Sequence, residues 1–327
     1  MTFNNFIQLV LNRKALNYDT IQLILTFLPP ELNDITIRKA IDLWFTNESE
    51  AIKKYGHITE WNTYSVTDMS SLFKGKSSFN ENISKWDTSN VIDMKYMFCD
   101  SRTFNQPLLF NTSKVTNMKH MFYAAMRFNQ PLSFDTSNVT NMESMFYYAE
   151  DFNQHISFDT SKVNNMYCMF YQVLNFNQPI LLNTKNVKNM GYMFFNARNF
   201  NQPLAFDTKN VKTMECMFFN ANKFNQPLTF DTSNVTNMHA VFYNSEKFNQ
   251  CISFNTSKVK NMSNMFCHAT NFNQQLTFDT SKVINMEGMF CSATNFNQPL
   301  TFDTSNVTNM EDMFHETLYN KLISLNK

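Results

Sequence analysis

The chain has 327 residues, and Lys plus Arg equals Asp plus Glu at 27 each, so it carries no formal net charge. A neutral chain has no global electrostatic pull toward nucleic acid or an anionic membrane, and no apolar run reaches the length of about 18 residues needed to span a bilayer. Only 4 Gly stand against 35 Phe and 22 Met, which disfavours glycine-rich phosphate loops and leaves turns to Asn and Asp.

In chain order, residues 1–56 do not repeat. They show no basic leader, no small-residue cleavage site and no early lipidatable Cys, so the expectation is an intracellular chain whose 6 Cys are free thiols. An apolar helix is expected over about Thr20 to Leu28, stopped by Pro29 and Pro30. Thr36 to Trp44 puts Ile37, Ala40, Ile41 and Trp44 on one helical face. Asn47 followed by Glu50 then reads as an N-cap opening a second short helix. Together these residues read as a helical cap for the exposed edge of a repeating segment that starts at residue 57.

From residue 57 to 327 the sequence collapses into rows of 24 with the consensus FNQPLSFDTSNVTNMExMFYxAxx. Phe104, Phe128, Phe152, Phe176, Phe200, Phe224, Phe248, Phe272 and Phe296 each open a row, and the fifteen residues from Phe224 to Met238 recur unchanged from Phe296 to Met310. One row cannot bury its apolar side chains, whereas stacked rows can, at a strand spacing of about 4.8 Å. The expected fold is an α/β repeat solenoid, leucine-rich-repeat-like, of about eleven coils and on the order of 50 Å long. Each coil would carry a short strand at QPLSF and a short helical or 3-10 turn where Val, Met, Met-Phe and Ala recur at helical spacing. Residues 319–326, YNKLISLN, read as a closing half-coil.

The period also weighs the candidate chemistry. Met invites a copper reading, but 20 of the 22 Met fill two row positions, which is core placement for a flexible gap filler. The Asn after each opening Phe (Asn105, Asn129, Asn153, Asn177, Asn201, Asn225, Asn249, Asn273 and Asn297 among them) reads as a buried ladder of corner amides. The Thr of DTS or NTS reads as a turn residue, and the Asp or Asn before it as an Asx turn. A calcium column lacks converging ligands. The six His have no metal-ligand spacing, and no Ser-His-Asp or Cys-His set assembles. No catalytic, metal or cofactor residue is therefore assigned, and a non-enzymatic protein is expected. Cys267 and Cys291 fall on adjacent coils within disulfide reach, with free, partly buried thiols the simpler reading. Contact residues are expected where rows vary, with Tyr147, Tyr148 and His120 as examples. Lys185, Lys188, Lys209 and Lys212 replace Ser or Thr on two consecutive coils, a solvated face or a patch for an acidic partner or phosphate.

The run AIDLW…AIKKYGHITEWNTYSVTDMSSLF, followed by rows of FNQPLSFDTSNVTNMxxMF, resembles the BspA-like leucine-rich-repeat proteins. More closely it is similar to the branch described in mycoplasma surface lipoproteins. The resemblance covers about residues 36 to 327 and implies a leucine-rich-repeat-like fold used in adhesion or host interaction. The absent lipoprotein signal and the rows one residue short of 25 depart from that branch and resemble members from AT-rich giant DNA viruses. That resemblance implies host cytoplasm or virion as the location. Leu16 to Pro29, LNYDTIQLILTFLP, is similar to the first helix of an F-box, with Asn17 where Pro is usual; a plain capping helix is the simpler reading. The expected function is a monomeric protein-protein interaction scaffold of unknown partner, with no nucleic acid and no membrane span. An F-box-like substrate receptor and a surface adhesion protein are the alternatives.

Overall fold

The structure, a computed structural model, describes residues 30–319. The expected helix with its F-box-like stretch, and the closing half-coil beyond Tyr319, lie outside the described residues. β1 (Glu31–Asn33) leads into α1 (Asp34–Thr46) and α2 (Glu48–Tyr55), then a 3-10 turn (Ile58–Glu60) and β2 (Asn62–Ser65). Asn33 starts α1 because its side chain accepts from the Ile35 and Thr36 N–H groups while Thr36 Oγ1 accepts from the Asn33 N–H. The face buried by α1 is Ile37, Ala40, Ile41 and Trp44, as its spacing requires. Asn47 closes α1 through its own N–H to the Leu43 carbonyl and opens α2 by accepting from the Glu50 N–H at 3.1 Å.

This helical segment is tied to the first coil. β1 pairs in parallel with β2. The Asp34 carboxylate accepts from the Thr67 N–H, the Thr67 hydroxyl and the Asp68 N–H at 2.7–2.9 Å. Burial alone would raise its pKa; those hydrogen bonds and the nearby Arg38 outweigh it and hold the carboxyl below its ordinary value. Trp44 meets Trp61 edge-on at 6.1 Å, and Phe45 meets Phe79 at 6.0 Å.

Beyond β2 the chain winds as a repeat solenoid. Parallel bridges link residues 24 or 25 apart in one unbroken column, from Asp68–Asp93 through Asn165–Asn189 to Asn285–Asn309. A second column at QPLSF is intermittent, with Leu108–Leu132, Ile156–Ile180, Ile180–Leu204 and Leu228–Ile252. Among the described residues there is no helix or longer strand between Ser65 and Thr317, so the strand and helical turn expected in each coil do not form. The QPLSF alternation is real, with Leu108 and Phe110 buried and Leu109 exposed, but pairing there stops at single bridges.

The Met-x-x-Met-Phe segment fails as a helix for a different reason. A helix would return its N–H groups to its own carbonyls; here alternate N–H groups leave the coil. Met97, Cys99 and Ser101 donate three residues back, to Met94, Tyr96 and Phe98, while Tyr96, Phe98 and Asp100 donate to Lys119, Met121 and Tyr123 of the next coil at 2.7–2.9 Å. Every fourth residue turns left-handed to allow this: Tyr96 and Asp100 at φ 57° and 58°, His120 and Ala124 at 57° and 53°, and so on through the array. Inward spacing of three is preserved, which is why the sequence imitates a helix.

The core holds two fully buried Phe columns and a third, at Phe110, Phe134 and their row equivalents, with Val and Met around them. Phe98 stacks on Phe122 at 5.6 Å along the axis and on Phe104 at 4.1 Å within its coil. The buried polar column is Thr, not Asn. Thr88, Thr112, Thr136 and Thr160 are at most 1% exposed, and each hydroxyl donates to a carbonyl of the next coil at 2.8–3.0 Å. The same Thr closes a turn, since the Val91 N–H donates to the Thr88 carbonyl, and Asp87 Oδ1 accepts from the Ser89 N–H in an Asx turn.

Equivalent rings would lie equally far apart if coils were related by translation alone. Instead the separation is 4.3 Å for Tyr147–Tyr171, 5.8 Å for Phe146–Phe170, 6.1 Å for Phe152–Phe176 and 6.4 Å for Phe230–Phe254. The coils therefore fan, and the stack curves with the Tyr147 side innermost. The unbroken bridge column lies in the Asn-Met step just before this side.

Candidate functional site

The residue after each Met-Phe forms a stripe on that inner side. Tyr123, Tyr147, Tyr171, Phe195, Phe219 and Tyr243 stack in succession at 4.3–4.4 Å with ring planes within 11° of parallel. All six are half-buried. The rings lie face to face along the axis, so their neighbours cover the faces and solvent meets the edges. Burial, followed by the neighbouring tyrosines, holds the Tyr147 hydroxyl well above the ordinary tyrosine range, and burial chiefly pushes Tyr167, beside the stripe, to about 12. These hydroxyls are neutral donors and acceptors at any physiological pH.

The left-handed residues flank the stripe. Tyr148, at φ 57°, leans on Tyr147 at 4.9 Å and accepts a hydrogen bond from Gln172 Nε2 at its hydroxyl. His120 stacks on Tyr96 at 4.6 Å and reaches Tyr123 at 5.4 Å, so Tyr147, Tyr148 and His120 belong to one continuous patch. Burial, and then the Lys119 charge, lower the His120 pKa to about 4, and its Nδ1 is buried without a hydrogen-bond partner. It is an uncharged ring at neutral pH. Sequence reasoning singles out Tyr147 and its row-mates but misses Tyr123, Tyr171, Phe195, Phe219 and Tyr243 as one column. The signal is present in the rows, as five in succession carry an aromatic directly after Met-Phe and the sixth carries Tyr243 after Val241-Phe242.

Lys185, Lys188, Lys209 and Lys212 lie elsewhere on the coil, around the buried Val187 and Val211. All four are exposed, and among the described residues none pairs with a carboxylate within 4.0 Å. Their backbones are held in register, with the Lys212 N–H donating to the Lys188 carbonyl and Asn210 Nδ2 to the Lys185 carbonyl.

The corner Asn residues form a third line. Asn105 Oδ1 accepts from the Asn129 backbone N–H at 2.9 Å and from Gln130 Nε2 at 3.0 Å, and Asn129 serves Asn153 and Gln154 in the same way. The pattern continues through Asn177, Asn201, Asn225, Asn249, Asn273 and Asn297. The rungs join side chain to backbone. They are half-buried, with Asn177 and Asn297 exposed, which corrects the expectation of a buried amide column. Asn105, Asn129 and Asn153, with Arg127, Asp151 and Asn175, line a shallow polar groove of about 470 Å³.

Among the described residues no group of three His, Cys, Asp or Glu is placed to hold a metal ion, and no helix is long and apolar enough to cross a membrane. His239 Nδ1 lies 2.7 Å from Ser263 Oγ, but that hydroxyl also lies 2.8 Å from Asn261 Oδ1, and no carboxylate orients the imidazole.

A family profile described as "Mycoplasma protein of unknown function, DUF285" matches the chain four times, over residues 40–157, 132–230, 156–253 and 228–325. The chain belongs to this family. Two of the DUF285 matches start 24 residues apart, one coil, so the family unit slides along the array in register. The first begins at Ala40, inside α1, so part of the helical segment belongs to the family unit. No curated protein and no solved structure matches the chain.

Proposed function

We propose that this DUF285 protein is a non-enzymatic scaffold that holds another protein against the inner aromatic face of its stack. The stripe from Tyr123 to Tyr243 carries this reading. The recurring letters supply core, ladders and turns, whereas the stripe and its left-handed neighbours sit where rows differ. Aromatic side chains on a curved, preformed surface offer contact area at low entropic cost. Within the proposal, the architecture is leucine-rich-repeat-like, about eleven coils with the helical segment as N-terminal cap, and the lysine group offers a second contact to an acidic partner. The F-box-like and host-interaction readings would use the same face, with residues 1–50 recruiting a ligase in the first.

Site-specific photo-crosslinking tests the face. A benzophenone side chain at Tyr171 is expected to capture a partner from cell lysate, whereas one at Leu181, exposed on the QPLSF side, is not. Equal capture at both sites, or capture at Leu181 alone, would remove the inner face from the proposal.

A further inference from the structure

One and two rungs beyond Tyr243, the column that carries the aromatic stripe changes chemistry and places Cys267 and Cys291 on consecutive coils. Their register is fixed from both sides, because the Phe266 N–H donates to the Met289 carbonyl at 2.8 Å and the His268 N–H to the Cys291 carbonyl at 2.7 Å. Residues of this column lie on the closely spaced side of the fan, where the neighbouring rings are 4.3–4.4 Å apart. A disulfide needs Cα atoms roughly 4.4–6.8 Å apart, a window that a coil step of about 4.8 Å satisfies. Both residues are thiols in the structure. Cys267 is 4% exposed and Cys291 half-buried, so the outer thiol meets a small reagent first and the inner one lies beside it. Burial, and then the Cys291 thiol, push Cys267 up to about 12, so Cys267 is protonated at neutral pH and is not the thiol that attacks an oxidant first.

We propose that Cys267 and Cys291 form an inter-coil dithiol site that a hydroperoxide converts to a disulfide. Cys291 attacks the peroxide; the O–O bond breaks, a sulfenic acid forms and the alcohol or water leaves. Cys267 then attacks the sulfenic sulfur as its thiol proton passes to the departing hydroxyl, so the S–S bond forms and water leaves. Each sulfur gives one electron, and the peroxide bond takes both. No other pair among the described residues shares this arrangement. Cys168 and Cys216 occupy one row position but lie two coils apart with Tyr192 between them, and Cys99 has Lys74 and Tyr123 as its column neighbours. The product would staple the coils that continue the aromatic stripe, closing a loop of 24 residues, and such a constraint raises stability mainly by restricting the unfolded chain.

Treating the full chain with hydrogen peroxide and mapping its peptides tests this. The expected result is loss of two hydrogens from the intact mass, a Cys267–Cys291 cross-linked peptide, Cys168 and Cys216 still thiols, and a melting temperature that rises and returns with dithiothreitol. Cys291→Ser is expected to abolish the mass change and the rise, and Cys99→Ser to leave both intact. Oxidation of Cys291 to sulfinic acid with Cys267 unlinked, or cross-links shared with Cys168 or Cys251, would overturn the proposal.

Discussion

Thr160 is fully buried, and its hydroxyl donates to the Asn183 carbonyl of the next coil at 2.9 Å. Thr160→Val keeps the shape and removes the bond, so a loss of about 1–3 kcal/mol in urea unfolding is expected. Asn153→Ala removes the acceptor of the Asn177 N–H and Gln178 Nε2, but water reaches a half-buried corner, and a smaller loss of about 0.5–1.5 kcal/mol is expected. The reverse order would contradict the placement of the two columns. Both columns are legible in the sequence because each residue recurs at one row position; which of them is buried is not, since Asn and Thr repeat equally well. The left-handed residues are illegible. They are Tyr, Cys, Ser, Gln, Asn, His, Ala, Asp, Glu or Gly from row to row, at a cost of roughly 1–2 kcal/mol for each that is not Gly, which hydrogen bonds to the next coil offset. Backbone pairing demands that conformation, and no residue type records it.

At the scale of elements, α1 and α2 are readable because caps and faces are local: Asn47 capping α2, and Ile37, Ala40, Ile41 and Trp44 turned inward. The coil segments mislead because Val, Met, Met-Phe and Ala at intervals near three fit a helix and a turn ladder alike. Only the destination of the alternate N–H groups separates the two, and that lies 23 residues ahead, as from Phe98 to Met121. The contact of α1 with the first coil rests largely on Trp44, 7% exposed and edge-on to Trp61. Trp44→Ala is expected to cost about 3–5 kcal/mol and, in hydrogen exchange, to speed exchange at the first coils more than at the last. Uniform acceleration along the array would show instead that the helical segment does not act as an end-specific support.

Across the whole molecule, the repeat and its solenoid are evident from the period alone, and family membership agrees with them. Curvature is not, because it depends on small differences in coil spacing between one side and the other, from 4.3 to 6.4 Å in ring separation. The 24-residue register lines six row-by-row aromatics into one stripe, and the curvature puts it on the inner side. The central claim is that identical letters build the frame and differing ones make the contact face. Tyr148→Glu tests it, because Glu316 already occupies the same left-handed row position and a carboxylate at 148 can accept from Gln172 Nε2 as the Tyr148 hydroxyl does. Affinity capture from cell lysate, read beside the melting temperature, is expected to lose the bound partner by about tenfold or more while melting is unchanged. Undiminished capture by the variant would contradict the account.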